Sequence, residues 1–316
     1  MSDQVTPIIA IVGATGHQGG SVLRALKADG RSRTRALTRN PKQHAGLADE
    51  VVEADLNRPE TLAAAFAGAH GVFMVTDFQD AAGTDEIAQG AAAVDAAKAA
   101  GVDYFIWSTL PDVEAISGGK FDVPHFTNKA KVDSLVTAAG FPHHSFTILP
   151  FLYQNLLKDM APQLQPDGST GWALPIDPAV RGIYAGDVEE YGTLIAGAFA
   201  KPEIAGNGQY LPHVGQILSF GEIVGTLNDQ GHDYSFRQVP SEKFAAAFPG
   251  AAEFGAMLGY FEAYTYLGFD RSDAIALARN VAGREPTDFA TWARLNMPVS
   301  QANDAPTSAA ELADVQ

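Results

Sequence analysis

Cysteine is absent from the 316 residues of this chain. Disulfide bonds, thiolate nucleophiles and cysteine-held metal sites are therefore excluded. Basic residues are scarce, since 21 Lys and Arg face 37 Asp and Glu and give a formal net charge of −16. That excess of negative charge argues against direct electrostatic binding to nucleic acid or to anionic lipid. A hydrophobic share of 46% excludes a disordered chain.

Long hydrophobic runs and several catalytic motifs are missing as well. The apolar run from Ile8 to Val12 is far too short to cross a membrane, and the polar start shows no secretion signal. We therefore expect a cytoplasmic protein without a membrane partner. The chain contains no His-Glu-x-x-His spacing and no Gly-x-Ser-x-Gly elbow. We expect neither a metal site nor serine hydrolase chemistry.

The first half of the chain alternates strand and helix patterns. Buried strands are predicted at 7–12, 34–38, 51–54, 71–76, 104–108 and 146–149, and Ala-rich helices at 61–67, 85–100 and 128–139. Alternating β and α units indicate a doubly wound parallel sheet with helices on both faces, which is an α/β fold.

The pattern becomes less regular after Pro150. A helix is predicted at 185–200 with Asp187 as its N-cap, and another begins at Ser241, also as a cap. We expect a dinucleotide-binding domain at 1–152 and a smaller, irregular α+β lobe at 153–299, which either stands apart or shares the main sheet. Residues 300–316 are polar and acidic, as is typical of a disordered tail.

A glycine-rich segment follows the first predicted strand and opens a helix. The spacing Gly13-x-x-Gly16-x-x-Gly19 is the one that lets a dinucleotide pyrophosphate approach the backbone at a helix N-terminus. It predicts a Rossmann-type fold; the alternative is an ordinary glycine-rich turn. The candidate cofactor contacts in this segment are Gly13, Ala14, Thr15, Gly16, His17, Gln18 and Gly19.

The end of the second strand indicates which dinucleotide is bound. NAD sites usually carry an acidic residue there, whereas this chain has Thr38 and Arg39, followed by Lys42. A guanidinium suits a 2′-phosphate, so the sequence favours NADP(H) over NAD(H). Arg39 has the alternative role of a solvated strand end. Asp55 and Leu56, after the third strand, are candidates to contact adenine or, equally, to cap the next helix.

Several motifs together resemble the NmrA-like family, an atypical branch of the short-chain dehydrogenase/reductases, and most of all its NADP-sensing HSCARG-type members. The segments that carry the resemblance are Val12–Val22, Thr38–Pro41, His125–Lys129, Pro150–Asn155 and Phe248–Gly250. The resemblance implies that Thr76, Asp77 and Phe78 lie near the nicotinamide ribose. It also implies that Phe151, Tyr153 and Asn155 flank the nicotinamide. Core packing is the alternative for each of these residues.

The usual catalytic pair of the superfamily is altered. Its Tyr-x-x-x-Lys places a phenol acid and a ribose-binding lysine on one helix face. Here the pair reads His125-x-x-x-Lys129. Lys129 keeps its ribose-binding role, whereas His125 either replaces the acid or lines a non-catalytic pocket.

Two functions follow from this combination. The first is an NADP(H)-binding redox sensor that acts on a protein partner, and the second is an NADPH-dependent reductase of a small quinone, carbonyl or enone. The sequence leaves open whether the chain is an enzyme. An apolar helix over 251–266 suggests a homodimer.

Overall fold

The computed structural model describes residues 6–79, 85–268 and 270–299. The predicted tail at 300–316 lies outside these ranges. In chain order the strands are β1 (Ile8–Ile11), β2 (Arg33–Thr38), β3 (Glu50–Glu53), β4 (Gly71–Met74), β5 (Tyr104–Thr109), β6 (His143–Ile148), β7 (Phe151–Leu152), β8 (Gln163–Leu164), β9 (Thr170–Leu174), β10 (Ile183–Gly186), β11 (Asn207–Pro212), β12 (Gln216–Leu218) and β13 (Tyr234–Gln238).

The helices connect these strands. They are α1 (His17–Asp29), α2 (Leu62–Phe66), α3 (Glu86–Ala99), α4 (Val113–Ser117), α5 (Pro124–Ala139), α6 (Val188–Ala200), α7 (Pro202–Ala205), α8 (Phe220–Asp229), α9 (Ser241–Ala245), α10 (Ala251–Tyr264), α11 (Ser272–Ala282) and α12 (Phe289–Asn296). Short 3-10 helices occur at Pro59–Thr61 and Tyr153–Leu157. Within the described ranges, no helix combines the length and the apolarity that a membrane span requires.

The central sheet has seven parallel strands in the order β11-β6-β5-β4-β1-β2-β3. Successive residues of β1 point to opposite faces. Ile9 and Ile11 join the apolar cluster of α1, α6 and α11, and Ala10 joins that of α3 and α5. Helices on both faces confirm the predicted Rossmann-type, doubly wound α/β fold.

The strand order reverses at β1, which lies between β2 and β4. In open α/β sheets, a crevice forms at the carboxyl edge beside such a reversal, and ligands bind there. The glycine-rich segment, the end of β2 and the end of β4 all meet at this edge. The topology therefore brings together residues that are far apart in the chain.

The second half builds two small three-stranded sheets, β12-β10-β7 and β13-β9-β8, around a core of its own. It also returns to the central sheet, because β11 pairs in parallel with β6. Smaller sheets and helices beside the main sheet are what the sequence predicted for this part of the chain.

Three local predictions need correction. The helix predicted from Ala185 begins at Val188, because Ile183–Gly186 pairs with β12 and β7 as a strand. Asp187 is its N-cap as predicted and accepts from the N–H of Glu189 at 2.9 Å. The helix predicted at 128–139 begins earlier, at Pro124, because proline fits the first turn of a helix. Ser241 is the first residue of α9 and does not cap it.

The apolar helix on which the homodimer prediction rests is partly buried within the chain, and the homodimer itself stays a prediction. Most large apolar residues of α10 are buried, among them Met257, Leu258, Tyr260 and Phe261. They pack into the core of the second half. The apolar pattern of this helix is therefore explained by packing within one chain.

The carboxyl group of Asp133, on α5, forms a hydrogen bond with the edge strand β11. The Tyr210 hydroxyl donates to Asp133 Oδ2 at 2.8 Å. Burial raises the pKa of Asp133 to about 7. Because an unfolded Asp titrates near pH 3.9, the folded state binds the extra proton between these two values. Stability contributed by the neutral carboxyl is therefore lost as the pH rises through this window.

We expect Asp133→Asn to flatten this pH dependence. The amide keeps the acceptor oxygen for Tyr210 and cannot ionise. Between pH 5 and pH 8 the wild type should lose about 3 kcal/mol of unfolding free energy that the variant does not lose. Urea unfolding of both proteins at the two pH values measures this difference. Asp95→Asn, at an exposed position of α3, is the control. Parallel pH profiles for wild type and Asp133→Asn would contradict the assignment.

Candidate functional site

The glycine-rich segment forms a tight turn between β1 and α1. Gly13 has a φ of +67°, which L side chains rarely adopt, and its carbonyl accepts from the N–H of Gly16 at 2.9 Å. A Cβ on Gly19 would lie 2.3 Å from the Gly13 carbonyl oxygen. Two of the three glycines are therefore needed for the backbone path and for the close approach of helix to strand.

The start of α1 presents backbone N–H groups to the crevice. Gly16 is the N-cap, and no described side chain caps the helix. Thr15, Gly16 and His17 are exposed, while Ala14 is buried. Exposed N–H groups at a helix N-terminus form a binding site for an anion such as a pyrophosphate.

Gln18 anchors this turn to the neighbouring strands. Its Oε1 accepts from Ser108 Oγ at 2.8 Å, and Ser108 Oγ accepts from the Tyr191 hydroxyl at 3.3 Å. Ser108 is the penultimate residue of β5. In this chain that hydroxyl is occupied in fixing Gln18.

Lys158 contacts the same turn from the second half of the chain. Its Nζ lies 3.0 Å from His17 Nε2. The sequence reasoning missed this residue, because nothing in its neighbourhood signals a contact that spans 141 positions. The contact places an exposed cation over the helix start, where phosphate charge would be stabilised.

The end of β2 carries Thr38, Arg39 and Lys42 at the edge next to the glycine turn. Thr38 Oγ1 accepts from the Asn40 N–H at 3.2 Å, and both cations are exposed. These three residues therefore flank the turn on the side of the adenosine half in Rossmann folds.

Asp55 and Leu56 follow β3 in a short turn. Asp55 Oδ1 accepts from the Asn57 N–H at 3.0 Å, and the Asp55 N–H donates to Thr61 Oγ1 at 3.0 Å. Leu56 is partly buried against the cluster of α2 and α3. The carboxylate fixes a turn, which is close to the capping role considered for it, and a contact with adenine stays a prediction.

Lys129 lies under the crevice in a buried cluster of polar groups. Its Nζ donates to the Thr76 carbonyl at 2.8 Å, to Thr76 Oγ1 at 2.7 Å and to Glu86 Oε1 at 2.5 Å. The Thr76 hydroxyl also donates to Glu86 Oε1, at 2.6 Å. Only 6% of the Lys129 side chain and 2% of the Glu86 side chain are exposed. Burial lowers the pKa of Lys129, and the Glu86 carboxylate opposes that effect.

The sequence did not single out Glu86. The available signal was an acidic residue in the first turn of α3. Such a residue normally faces solvent and favours the helix dipole, so the pairing with Lys129 could not be read from the pattern.

His125 lies one helical turn before Lys129 but has different partners. Its Nδ1 is 2.5 Å from Glu253 Oε1 on α10, and its ring stacks on Phe78 with centroids 4.6 Å apart. Phe78 is 48% exposed, and Asp77 before it is also exposed. His125 therefore bridges the end of β4 and the second half of the chain at the mouth of the crevice.

The segment after β6 is more buried than the sequence suggested. Tyr153 is 1% exposed, packs against Phe289 and Trp292, and donates from its hydroxyl to the Thr287 carbonyl at 3.3 Å. This burial favours core packing, the alternative considered for Tyr153, and its contact with a nicotinamide stays a prediction. Burial also raises the pKa of the Tyr153 hydroxyl.

The two neighbours of Tyr153 in the predicted set have other surroundings. Phe151 is 5% exposed and meets the edge of Phe220. Asn155 is partly buried, and its carbonyl accepts from the Met160 N–H at 2.9 Å. Their contact with a nicotinamide stays a prediction.

Sequence comparison identifies related proteins over most of the chain. A model of the NmrA-like family matches residues 6–293. An NmrA-like family domain-containing protein of Dictyostelium discoideum is 30% identical over 284 residues, which cover 84% of this chain and 92% of that protein. The NmrA-like family domain-containing oxidoreductase FrzB of Cladobotryum sp. is 30% identical over 323 residues, which cover 92% of this chain and 90% of FrzB.

Structural comparison finds solved structures with the same fold. The crystal structure of NmrA, a negative transcriptional regulator, in complex with NADP matches with a TM-score of 0.75 and 23% identity. The match covers 92% of this chain and 95% of NmrA. The same regulator with NAD bound matches with a TM-score of 0.74. At this identity the likeness shows a shared fold.

The Lys129–Glu86 pair should be essential to stability. Glu86→Gln leaves a buried ammonium without its carboxylate, so we expect a loss of about 3–5 kcal/mol of unfolding free energy. The double variant Glu86→Gln/Lys129→Met should lose less than the sum of the two single changes. Denaturant unfolding of all four proteins gives the coupling energy.

The same helix offers a matched control. Lys131 Nζ pairs with Glu114 Oε2 at 2.9 Å, and both side chains are exposed. The corresponding changes Glu114→Gln and Lys131→Met should each cost less than about 1 kcal/mol. Equal coupling energies for the two pairs would refute a special role for the buried one.

Proposed function

This chain belongs to the NmrA-like family, and from that membership we propose that it binds NADP(H) and reports the redox state of this cofactor to a protein partner. The observation that carries the proposal is an intact dinucleotide turn beside a helix on which His125 stands where the superfamily has its phenol acid. The chain has the means to bind the cofactor but lacks the usual proton donor.

The cofactor would lie across the carboxyl edge of the sheet. The glycine turn and the start of α1 would hold the pyrophosphate, and Lys158 beside His17 would add positive charge over it. Thr76 and Lys129, which are hydrogen-bonded to each other, would lie under the nicotinamide half. When bound, the cofactor supplies a hydride donor or acceptor at the end of this crevice.

The choice of NADP(H) over NAD(H) rests on Arg39, with Thr38 and Lys42 beside it. No acidic residue stands at the end of β2, where NAD sites usually place one. The likeness to NmrA leaves the choice open, since that regulator has been crystallised with NADP and with NAD. The particular closeness to HSCARG-type members is likewise a proposal.

The sensing role follows from the surroundings of His125. Its ring stacks on Phe78, one of the proposed ribose contacts, and it pairs with Glu253 on α10. This chain of contacts joins the nicotinamide end of the crevice to the second half of the protein. A difference between bound NADP⁺ and NADPH would therefore be transmitted to a surface that a partner reads. The net charge of −16 favours a protein over nucleic acid as that partner.

A second candidate is an NADPH-dependent reductase of a small quinone, carbonyl or enone. FrzB carries the name oxidoreductase, and an imidazole stands in this chain where the superfamily has its phenol acid. In that case His125 would be the proton donor. Lys129 would act by holding Thr76, one of the proposed ribose contacts, because its three N–H donors are engaged by Thr76 and Glu86.

An NADPH oxidation assay separates the two candidates. With a panel of quinones and enones, the sensor proposal predicts no rate above that of the free cofactor. Turnover well above that rate, abolished by His125→Ala and retained in Arg237→Ala, would establish the reductase instead. Arg237 serves as the control because it is exposed on β13, away from the crevice.

Arg39→Ala tests the choice of nucleotide. Loss of the guanidinium should weaken NADP(H) binding about tenfold or more and leave NAD(H) binding nearly unchanged. Calorimetric titration of wild type and variant with both cofactors measures the difference. An equal loss for the two cofactors would refute the assignment.

Lys158→Ala should behave differently. A contact with the pyrophosphate does not distinguish the cofactors, so both NADP(H) and NAD(H) should bind several-fold more weakly. The salt dependence of binding should also become shallower. Unchanged titrations would remove Lys158 from the site.

A further inference from the structure

A large cavity lies on the flank of the molecule, away from the crevice. Its volume is about 580 Å³, and it is enclosed by α5, the segment after β5, the edge strand β11 and the start of α11. None of its lining residues belongs to the proposed cofactor set. In the sheet, β6, β5 and β4 separate β11 from β1 and its glycine turn. The volume lies in the range typical of small-molecule sites.

One side of the cavity is apolar. Leu110, Ile116, Ile148 and Leu267 line it, together with the ring of Tyr210. Such walls favour the burial of an aromatic or alicyclic group, because apolar surface is removed from water on both sides.

The polar residue that determines the ligand chemistry is Arg271. Its guanidinium carbon lies 5.6 Å from the centroid of the Tyr210 ring. Among the described residues, no carboxylate forms an ion pair with it. Its Nε is buried without a hydrogen-bond partner in the same part of the chain. A guanidinium without an ion pair is stabilised by a bound anion, whose oxygens accept hydrogen bonds from it.

One oxygen of each carboxyl group in the cavity lining accepts a hydrogen bond from a group other than Arg271. Asp133 accepts the Tyr210 hydroxyl, and Asp112 Oδ1 accepts from the Ala115 N–H at 3.0 Å at the start of α4. Tyr210 thereby fixes both Asp133 and Arg271 on one wall. The guanidinium remains as the donor that faces the ligand space.

We propose that this cavity is a second small-molecule site, distinct from the dinucleotide crevice, which takes an aromatic or alicyclic carboxylate. The carboxylate pairs with the planar fork of Arg271, which matches two oxygens at once. The ring of the ligand lies along the apolar wall. The site does not depend on the proposed redox role.

Ligand-observed NMR and calorimetry with defined probes test this site. The probes are benzoate, cinnamate and cyclohexanecarboxylate, with benzamide and cinnamamide as neutral counterparts of the same shape. Each titration is made with the free protein and with protein in excess NADP⁺. We expect the carboxylates to bind about tenfold or more tightly than the amides, which corresponds to about 1.4 kcal/mol. We also expect binding to persist in the presence of NADP⁺.

Two variants and a control complete the test. Arg271→Gln removes the charge and should lower carboxylate affinity about tenfold or more, whereas Arg294→Gln, at an exposed position of α12, should leave it unchanged. Thr137→Phe fills the cavity from its exposed edge and should abolish binding of all probes. Circular dichroism and unfolding curves verify that each variant is folded.

Equal binding of carboxylates and amides would overturn the proposal. So would unchanged affinity in Arg271→Gln, or absence of binding at concentrations up to about 10 mM. Displacement of the carboxylates by NADP⁺ would instead place them in the crevice and would also refute the site. If the chain binds no dinucleotide at all, the Arg271 and Thr137 results still decide, so the two proposals fail separately.

Discussion

The buried ammonium of Lys129 is the constraint on which the site depends. A charge at this depth is tolerated only when it is paired and fully hydrogen-bonded. Thr76 and Glu86 meet that need with three contacts, and in doing so they join the end of β4, the start of α3 and the middle of α5. The floor of the crevice is therefore fixed before any ligand arrives. A preorganised floor lowers the entropic cost of ordering a cofactor on it.

This arrangement supports the proposal that the chain binds a dinucleotide without turning over a substrate. The glycine turn, the start of α1 and the cations at the edge of the sheet would all hold the dinucleotide. Proton transfer would need a donor beside the nicotinamide, and the residue at that position is an imidazole already paired with Glu253 and stacked on Phe78. The same contacts that weaken the case for catalysis connect the crevice to the second half. The flank cavity beside Arg271 would bind a second ligand of different chemistry, a carboxylate, which suits a regulated binding protein.

The sequence predicted features whose causes are local. The strands of the first half, the glycine turn and the Asp187 cap follow from apolar periodicity, backbone conformation and the hydrogen bonds of a helix start. Features that depend on distant residues could not be predicted. Glu86 looked like a solvent-facing helix residue, Lys158 like an exposed lysine, and Tyr153 like a pocket aromatic, until the fold supplied their partners. The start of α6 was misplaced for the same reason, since β10 exists only through pairing with β12 and β7.

Redox sensing requires that the protein distinguishes the two redox forms of one dinucleotide without consuming either. Calorimetric titration of the full chain with NADP⁺ and with NADPH measures this difference, because a ligand shifts an equilibrium only by its differential affinity for the two states. We expect one site per chain for both forms, with affinities that differ by about tenfold or more, which is about 1.4 kcal/mol. Equal affinities would contradict redox sensing, and an absence of binding would contradict the site itself.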